Sequence, residues 1–269
     1  MKDRKVEYMK LGMPTLLELG SIEDCAEVAS ELDLDFIELN MNMPYYQTNT
    51  IDIELLREIG NSYTLSYTMH IEETLNPCDF NKKVSKAYIE TMVDAIKIAG
   101  ILQIPTITMH LNEGVYFNLP FKKIYLYSVY EDIYLENMKF FRNEVELAVG
   151  DKPIKICIEN CGNFQDIPYI RHALDLLLES EVFGLTFDIG HNATAGNSDE
   201  GYILSHIDRL VHMHIHDEKE GNNHLALGEG KVDLKKYIAM AQKYNCRVVV
   251  EVKTLEGLKH SVEWIKNNI

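Results

Sequence analysis

Apolar residues recur along the chain in two alternating rhythms: every second position in short runs, and at three- and four-residue spacing in longer ones. The short runs are Met9–Thr15, Asp35–Met41, Leu65–Ile71, Thr106–Leu111, Ile154–Asn160, Gly184–Ile189, Leu210–His216 and Val248–Val252. Helix-like runs lie between them. Ser21–Leu32 starts on a serine cap with Glu23 and Asp24 in its first turn, and Asn81–Gly100 is expected to end on its glycine. Eight strand–helix pairs in one chain predict an α/β protein, a single-domain (β/α)8 TIM barrel spanning residues 1–269. The alternative is a doubly wound open sheet, but no glycine-rich phosphate loop follows the first strand.

The seventh run departs from ordinary strand chemistry. His212, His214 and His216 alternate with Val211, Met213 and Ile215, so one face is imidazole and the other apolar. In a barrel, the apolar face packs on helices while the imidazoles converge inside. The polar loop that follows carries Asp217, His224 and Glu229. A second unusual stretch is the connection from Asn112 to Tyr130, rich in Tyr and Phe, which reads either as a lid over a pocket or as packing against the barrel or a second subunit.

Composition narrows the function. Five scattered cysteines suit reduced thiols, and Cys157 and Cys161 have no second pair to complete a zinc site. The charged start MKDRKVEYMK is followed by no apolar run, which leads to the expectation of a soluble, cytoplasmic protein without a membrane segment. A formal charge of −16, with no cluster of Lys and Arg, disfavours a nucleic-acid partner without excluding it.

Barrel enzymes place their chemistry at the C-terminal ends of the strands. Here strand two ends in Glu38 and Asn40, strand three in His70, strand four in His110 and strand five in Glu159. Strand six ends in Asp188 with His191 after it, strand seven brings His214, and strand eight brings Glu251. Three carboxylates and several imidazoles aimed into one space would repel or desolvate one another unless a cation sat among them. Glu159, Asp188, His214 and Glu251 form a set suited to Mn, Mg or Co. Adding His70, His110, His191 and His224 shifts the balance toward Zn and more than one ion.

The segments ICIENCG, LTFDIGHNATAG, HMHIHD with HLALGEG, and VVVEV resemble the xylose-isomerase-like TIM barrel superfamily across nearly the whole chain. That superfamily holds sugar and sugar-phosphate isomerases and epimerases and also the endonuclease IV class of AP endonucleases. The resemblance implies Glu159, Asp188, His214 and Glu251 as ligands of one divalent metal, with up to three ions in the endonuclease branch. It implies Glu159 and Glu251 as the proton-transfer pair, and His191 as a substrate or metal ligand. His70, His110, His224 and Glu38 are further candidates for substrate or additional metal, Glu38 also for orienting a neighbour. In the endonuclease branch an Asp-x-His pair completes a third zinc site; this chain reads Asn222-Asn223-His224, and an amide is a poorer ligand than a carboxylate.

The resemblance therefore implies a metal-dependent carbohydrate isomerase or epimerase acting on a small sugar or sugar derivative. A zinc phosphodiesterase acting on abasic DNA is the alternative, with a sugar-binding barrel without turnover behind it. A homo-oligomer is compatible with the sequence. His172, His206 and His260 fall in helix-like segments away from the strand ends and read as surface or packing residues. Asp217 and Glu229 either orient metal-binding histidines or cap the turn at Gly228 and Gly230.

Overall fold

A computed structural model of the protein describes residues 9–269; the first part of the expected domain, residues 1–8, lies outside the described residues. The strands are β1 Leu11–Pro14, β2 Phe36–Asn40, β3 Ser66–His70, β4 Thr106–His110, β5 Tyr116–Leu119, β6 Lys122–Tyr125, β7 Lys155–Glu159, β8 Phe183–Asp188, β9 Leu210–Ile215, β10 Asp217–Lys219, β11 Asn222–Leu225 and β12 Arg247–Val250. Eight of them close into a parallel barrel in the order β1-β12-β9-β8-β7-β4-β3-β2, while β5–β6 and β10–β11 are separate hairpins. The helices are α1 Ile22–Glu31, α2 Ile53–Tyr63, α3 Lys82–Leu102, α4 Leu126–Val129, α5 Glu131–Val149, α6 Pro168–Leu178, α7 Ile189–Thr194, α8 Glu200–Ser205, α9 Leu234–Tyr244 and α10 Leu255–Asn268. The protein is thus a TIM barrel, as the alternation of periods predicts.

Local rules account for the ends of the elements. Ser21 caps α1 by accepting from the Asp24 N–H at 3.1 Å. α3 does not stop at Gly100; it runs on to Leu102 and ends at Gln103, which takes the left-handed conformation at φ 56°. Leu102 packs against the core, so a glycine within the helix is carried at a cost of about 1 kcal/mol. Strand six starts and ends one residue earlier than expected, and its end is set by Asp188, which turns directly into α7 and caps the His191 N–H.

Side chains inside the barrel form layers. Phe36, Cys157 and Val249 are fully buried near its floor, where a Cβ on Gly12 would lie 2.5 Å from the Phe36 ring. Above them lie Thr108 and Thr186, 3.1 Å apart, with Thr68, Glu38 and His212. Met213, Ile215, Val248 and Val250 belong instead to the apolar shell shared with the helices. Each such buried aliphatic side chain contributes about 1.5–3 kcal/mol over an exposed one.

The 112–130 connection divides into two parts. Tyr127 is buried, its ring stacked 4.4 Å from that of Tyr134 and its hydroxyl donating to Asn76 Oδ1 at 3.0 Å. The β5–β6 hairpin stands away from the barrel with Phe117, Leu119 and Phe121 exposed. All five cysteines are free. Among the described residues no helix is long and apolar enough to cross a membrane.

Candidate active site

The barrel's register, more than any single residue, assembles the site. Parallel pairing sets Asp188 beside His214, Val249 beside His214, and His110 beside Glu159. Glu251 follows β12 immediately, with its N–H donating to Ile215 O at 2.9 Å. Ligand atoms of Glu159, Asp188, His214 and Glu251, drawn from four neighbouring strands, all lie within 4.8 Å of one another. His214 Nδ1 is at the centre, 3.2 Å from Glu159 Oε1, 3.0 Å from Glu251 Oε2 and 4.0 Å from Asp188 Oδ2.

Glu159 faces two ways. Its Oε2 meets His70 Nε2 at 3.0 Å and His110 Nε2 at 3.1 Å, while Oε1 turns to His214 and to His191 Nδ1 at 3.6 Å. Burial alone would push the Glu159 carboxyl up, but His214, His110 and His191 hold it well below the usual carboxylate range. Burial likewise disfavours a charged His214, yet Glu159, Glu38 and Glu251 around it raise it well above an ordinary histidine. His191 is similarly opposed by burial and carried to about 12 by Asp188 and by its neighbours Cys161 and Glu159.

Glu38 and His216 anchor this cluster from behind. Glu38 Oε1 lies 2.9 Å from His214 Nε2, in a short but poorly aligned contact. Its Oε2 takes hydrogen bonds from Thr68 Oγ1 at 3.0 Å and from His212 Nε2 at 3.0 Å. His216 Nδ1 accepts from the His224 backbone N–H at 3.0 Å, which leaves Nε2 as the donor to Asp188 at 3.1 Å. The His216 ring is packed so tightly that a Cβ on Gly190 would come within 1.9 Å of it.

The sequence-predicted residues therefore separate into groups. Glu159, Asp188, His214 and Glu251 come together, and His70, His110 and His191 border them. His224 is at the rim, with Nε2 3.7 Å from Glu251 Oε1. Glu38 is 2% exposed and engaged with His212, His214 and Thr68, and it also borders the cavity above the cluster. Asn222 donates to Lys219 O in the β10–β11 hairpin, away from the imidazoles. His191, His216 and His224 have ring nitrogens within 4.8 Å, but both nitrogens of His216 are already engaged. His172 pairs with Glu131, His206 stacks on Tyr202 and His260 lies 3.8 Å from Glu229, all outside the site. Glu229 is thus not a partner of the cluster's histidines.

Sequence reading did not single out Lys253, whose Nζ contacts Glu251 Oε1 at 2.7 Å. Its signal was proximity: it stands two residues beyond Glu251, in the short turn that follows β12. Burial weakens its charge, but Glu251 outweighs this and raises its pKa. Above the cluster lies a cavity of about 230 Å³ bordered by Thr15, Asn40, His70, Glu73, Glu251 and Lys253. A larger cleft of about 690 Å³ between α3 and α5 is lined by surface charges such as Lys86, Glu90 and Lys97, without a buried converging set.

The sequence pattern of a known family, described as xylose isomerase-like TIM barrel, matches residues 26–268. The chain belongs to the xylose isomerase-like TIM barrel family. An uncharacterized protein of Methanocaldococcus jannaschii is 28% identical over 98% of this chain and 91% of its own. Among solved structures of the family's fold, a D-tagatose 3-epimerase-like protein superposes with a TM-score of 0.78 at 27% identity, covering 96% of both chains. The 3-keto-D-glucoside 4-epimerase of E. coli superposes with a TM-score of 0.76 at 15% identity, covering 97% of this chain and 100% of that one.

Proposed function

We propose that the protein is a divalent-metal-dependent isomerase or epimerase of a sugar or sugar derivative. The observation that carries this reading is the placement of Glu159 and Glu251 in one cluster around His214 at the C-terminal mouth of the barrel. The donor set fits a cation. Four ligand atoms within 4.8 Å of one another need only small side-chain adjustments to converge on one ion, and Glu251 Oε2 is buried without an aligned hydrogen bond. Glu159, Asp188, His214 and Glu251 would hold the ion, and Mn, Mg, Co or Zn suits the oxygen-rich set. Bound there, the ion would polarise substrate oxygens and stabilise the charge of an enediolate.

The protein's own groups supply the proton traffic. One carboxylate of the Glu159/Glu251 pair removes the proton from the carbon next to a carbonyl, and the other returns one. His214, with His224 and Lys253, keeps Glu251 ionised, Lys253 also orients it, and Asn40, Glu73 and His70 line the cavity where hydroxyls would bind. Incubation of the metal-loaded protein with a ketose panel in D2O should place deuterium on the carbon beside the carbonyl. Conversion without deuterium uptake would point to hydride shift and refute the carboxylate mechanism.

A second prediction follows from the charge state of the cluster. Without an ion, His214 holds a proton well above the ordinary histidine value of 6.5, and an ion binding to Nδ1 must displace it. Apparent metal affinity should therefore rise with pH through the neutral range. Calorimetry in two buffers of different ionisation enthalpy should show proton release; equal heats in both would contradict the prediction.

The zinc phosphodiesterase reading has one observation in its favour: His70 and His110 both approach Glu159 Oε2, an arrangement that could hold another ion. The acidic surface, the amide at Asn222 and the engagement of His216 with Asp188 weigh against it.

A further inference from the structure

We infer that the substrate is an uncharged polyhydroxy ketone, carrying neither phosphate nor carboxylate; this rests on the isomerase reading and narrows it. A barrel grips a phosphate with free backbone N–H groups at its rim, above all after the seventh and eighth strands, and with Arg or Lys side chains. In this protein its own side chains take up N–H groups at both places, Asp217 and Glu18 with carboxylates and Thr254 with its hydroxyl, which accepts from Gly257 N–H.

After the seventh barrel strand, Asp217 accepts from the N–H groups of Gly228 at 3.0 Å, Gly230 at 2.8 Å, Val232 at 3.0 Å and Glu218 at 2.9 Å. After the eighth, at the start of α10, Glu18 accepts from the Leu255 N–H at 2.6 Å. After the fifth, Asp199 accepts from Gly162, Phe164 and Gln165 at 2.8–3.3 Å. After the sixth, Asp188 caps the His191 N–H at 2.6 Å. A carboxylate in each nest excludes a second anion by occupancy and by repulsion.

The side chains say the same. The eight connections leaving the C-terminal ends of the barrel strands carry Lys122, Lys123, Lys219, Lys231 and Lys253, and no arginine. Lys123 lies over the Tyr116 ring at 3.8 Å, Lys231 faces Glu220 at 3.7 Å, and Lys122 and Lys219 are exposed on the two hairpins. Among the described residues only Lys253 lines the cavity as a cation, and Glu251 holds it. The other polar lining groups, Thr15, Glu38, Asn40, His70 and Glu73, are partners for hydroxyls rather than for a dianion, and the rest of the lining is apolar.

The test compares D-tagatose and D-allulose with their 6-phosphates on the metal-loaded protein, by turnover and by ligand-induced shift of Tm, with inorganic phosphate as competitor. The neutral sugar of each pair should have kcat/KM at least about 100-fold above its ester, and inorganic phosphate should leave KM unchanged. A preferred ester, or competitive inhibition by inorganic phosphate, overturns the inference. If no sugar is turned over, the isomerase reading fails separately, and Tm decides the charge question. Stabilisation by neutral sugars alone upholds the inference, whereas stabilisation by the esters, or by nothing, counts against it.

Discussion

Replacing Glu159 with Gln should cut turnover by at least about 10³-fold, because in the proposed mechanism one side chain carries two duties. Its Oε1 belongs to the ligand cluster with His214, while Oε2 receives His70 and His110. Gln keeps the shape but presents an amide N–H₂ to one side, where it can neither take a proton nor ligate well. The buried imidazoles also lose the anion that His214 and His110 require. The variant should bind metal more weakly and still fold, since β7 and its neighbours pack through Ile156 and Ile158. The measurements are kcat, metal stoichiometry and the circular dichroism spectrum of the purified variant. Wild-type-like turnover in E159Q would remove Glu159 from the proton pathway.

Replacing Asp217 with Ala should produce the largest loss of stability. This carboxylate is 1% exposed and accepts four backbone N–H groups from its own turn and the Gly228–Val232 loop. Hydrogen bonds to a charged group are each worth about 1.5–3 kcal/mol, and donors left unpaired cost more than bonds merely exchanged for water. Discounting for loop relaxation and water entry, a loss of about 4 kcal/mol is expected, or about 10 °C in Tm for a domain of this size. Asp217→Asn retains one acceptor oxygen and should fall between. Denaturant unfolding of the three proteins checks the order; an Ala variant as stable as wild type would show that the loop holds itself. The expected result also bears on the two roles open to Asp217 from sequence: its carboxylate organises the turn, and only its backbone carbonyl approaches a clustered histidine, His216 Nδ1 at 3.3 Å.

The strands, helices and fold class were legible because burial imposes a period on the sequence. A strand with helices on one side and the barrel interior on the other must alternate, and β9 shows this most plainly with His212, Met213, His214 and Ile215. The strand-end residues were legible for the same reason. Once the eight strands are placed, parity alone puts Glu159, Asp188, His214 and Glu251 inside, and the structure brings those four together.

Other features were not legible because they depend on distance across the barrel. No local pattern distinguishes Glu38, which braces His214 across 176 residues of chain, from a glutamate facing substrate. Nothing in HIHD reveals that His216 gives one nitrogen to the His224 backbone and the other to Asp188. The capture of rim N–H groups by Glu18 and Asp199 joins loops far apart in sequence. The sequence by itself determined which residues point inward, because that follows from a two-residue repeat. Only the closed barrel decided which of them meet, which are spent on one another and which remain to face a substrate, because those outcomes depend on ångström distances between strands that the chain order does not contain.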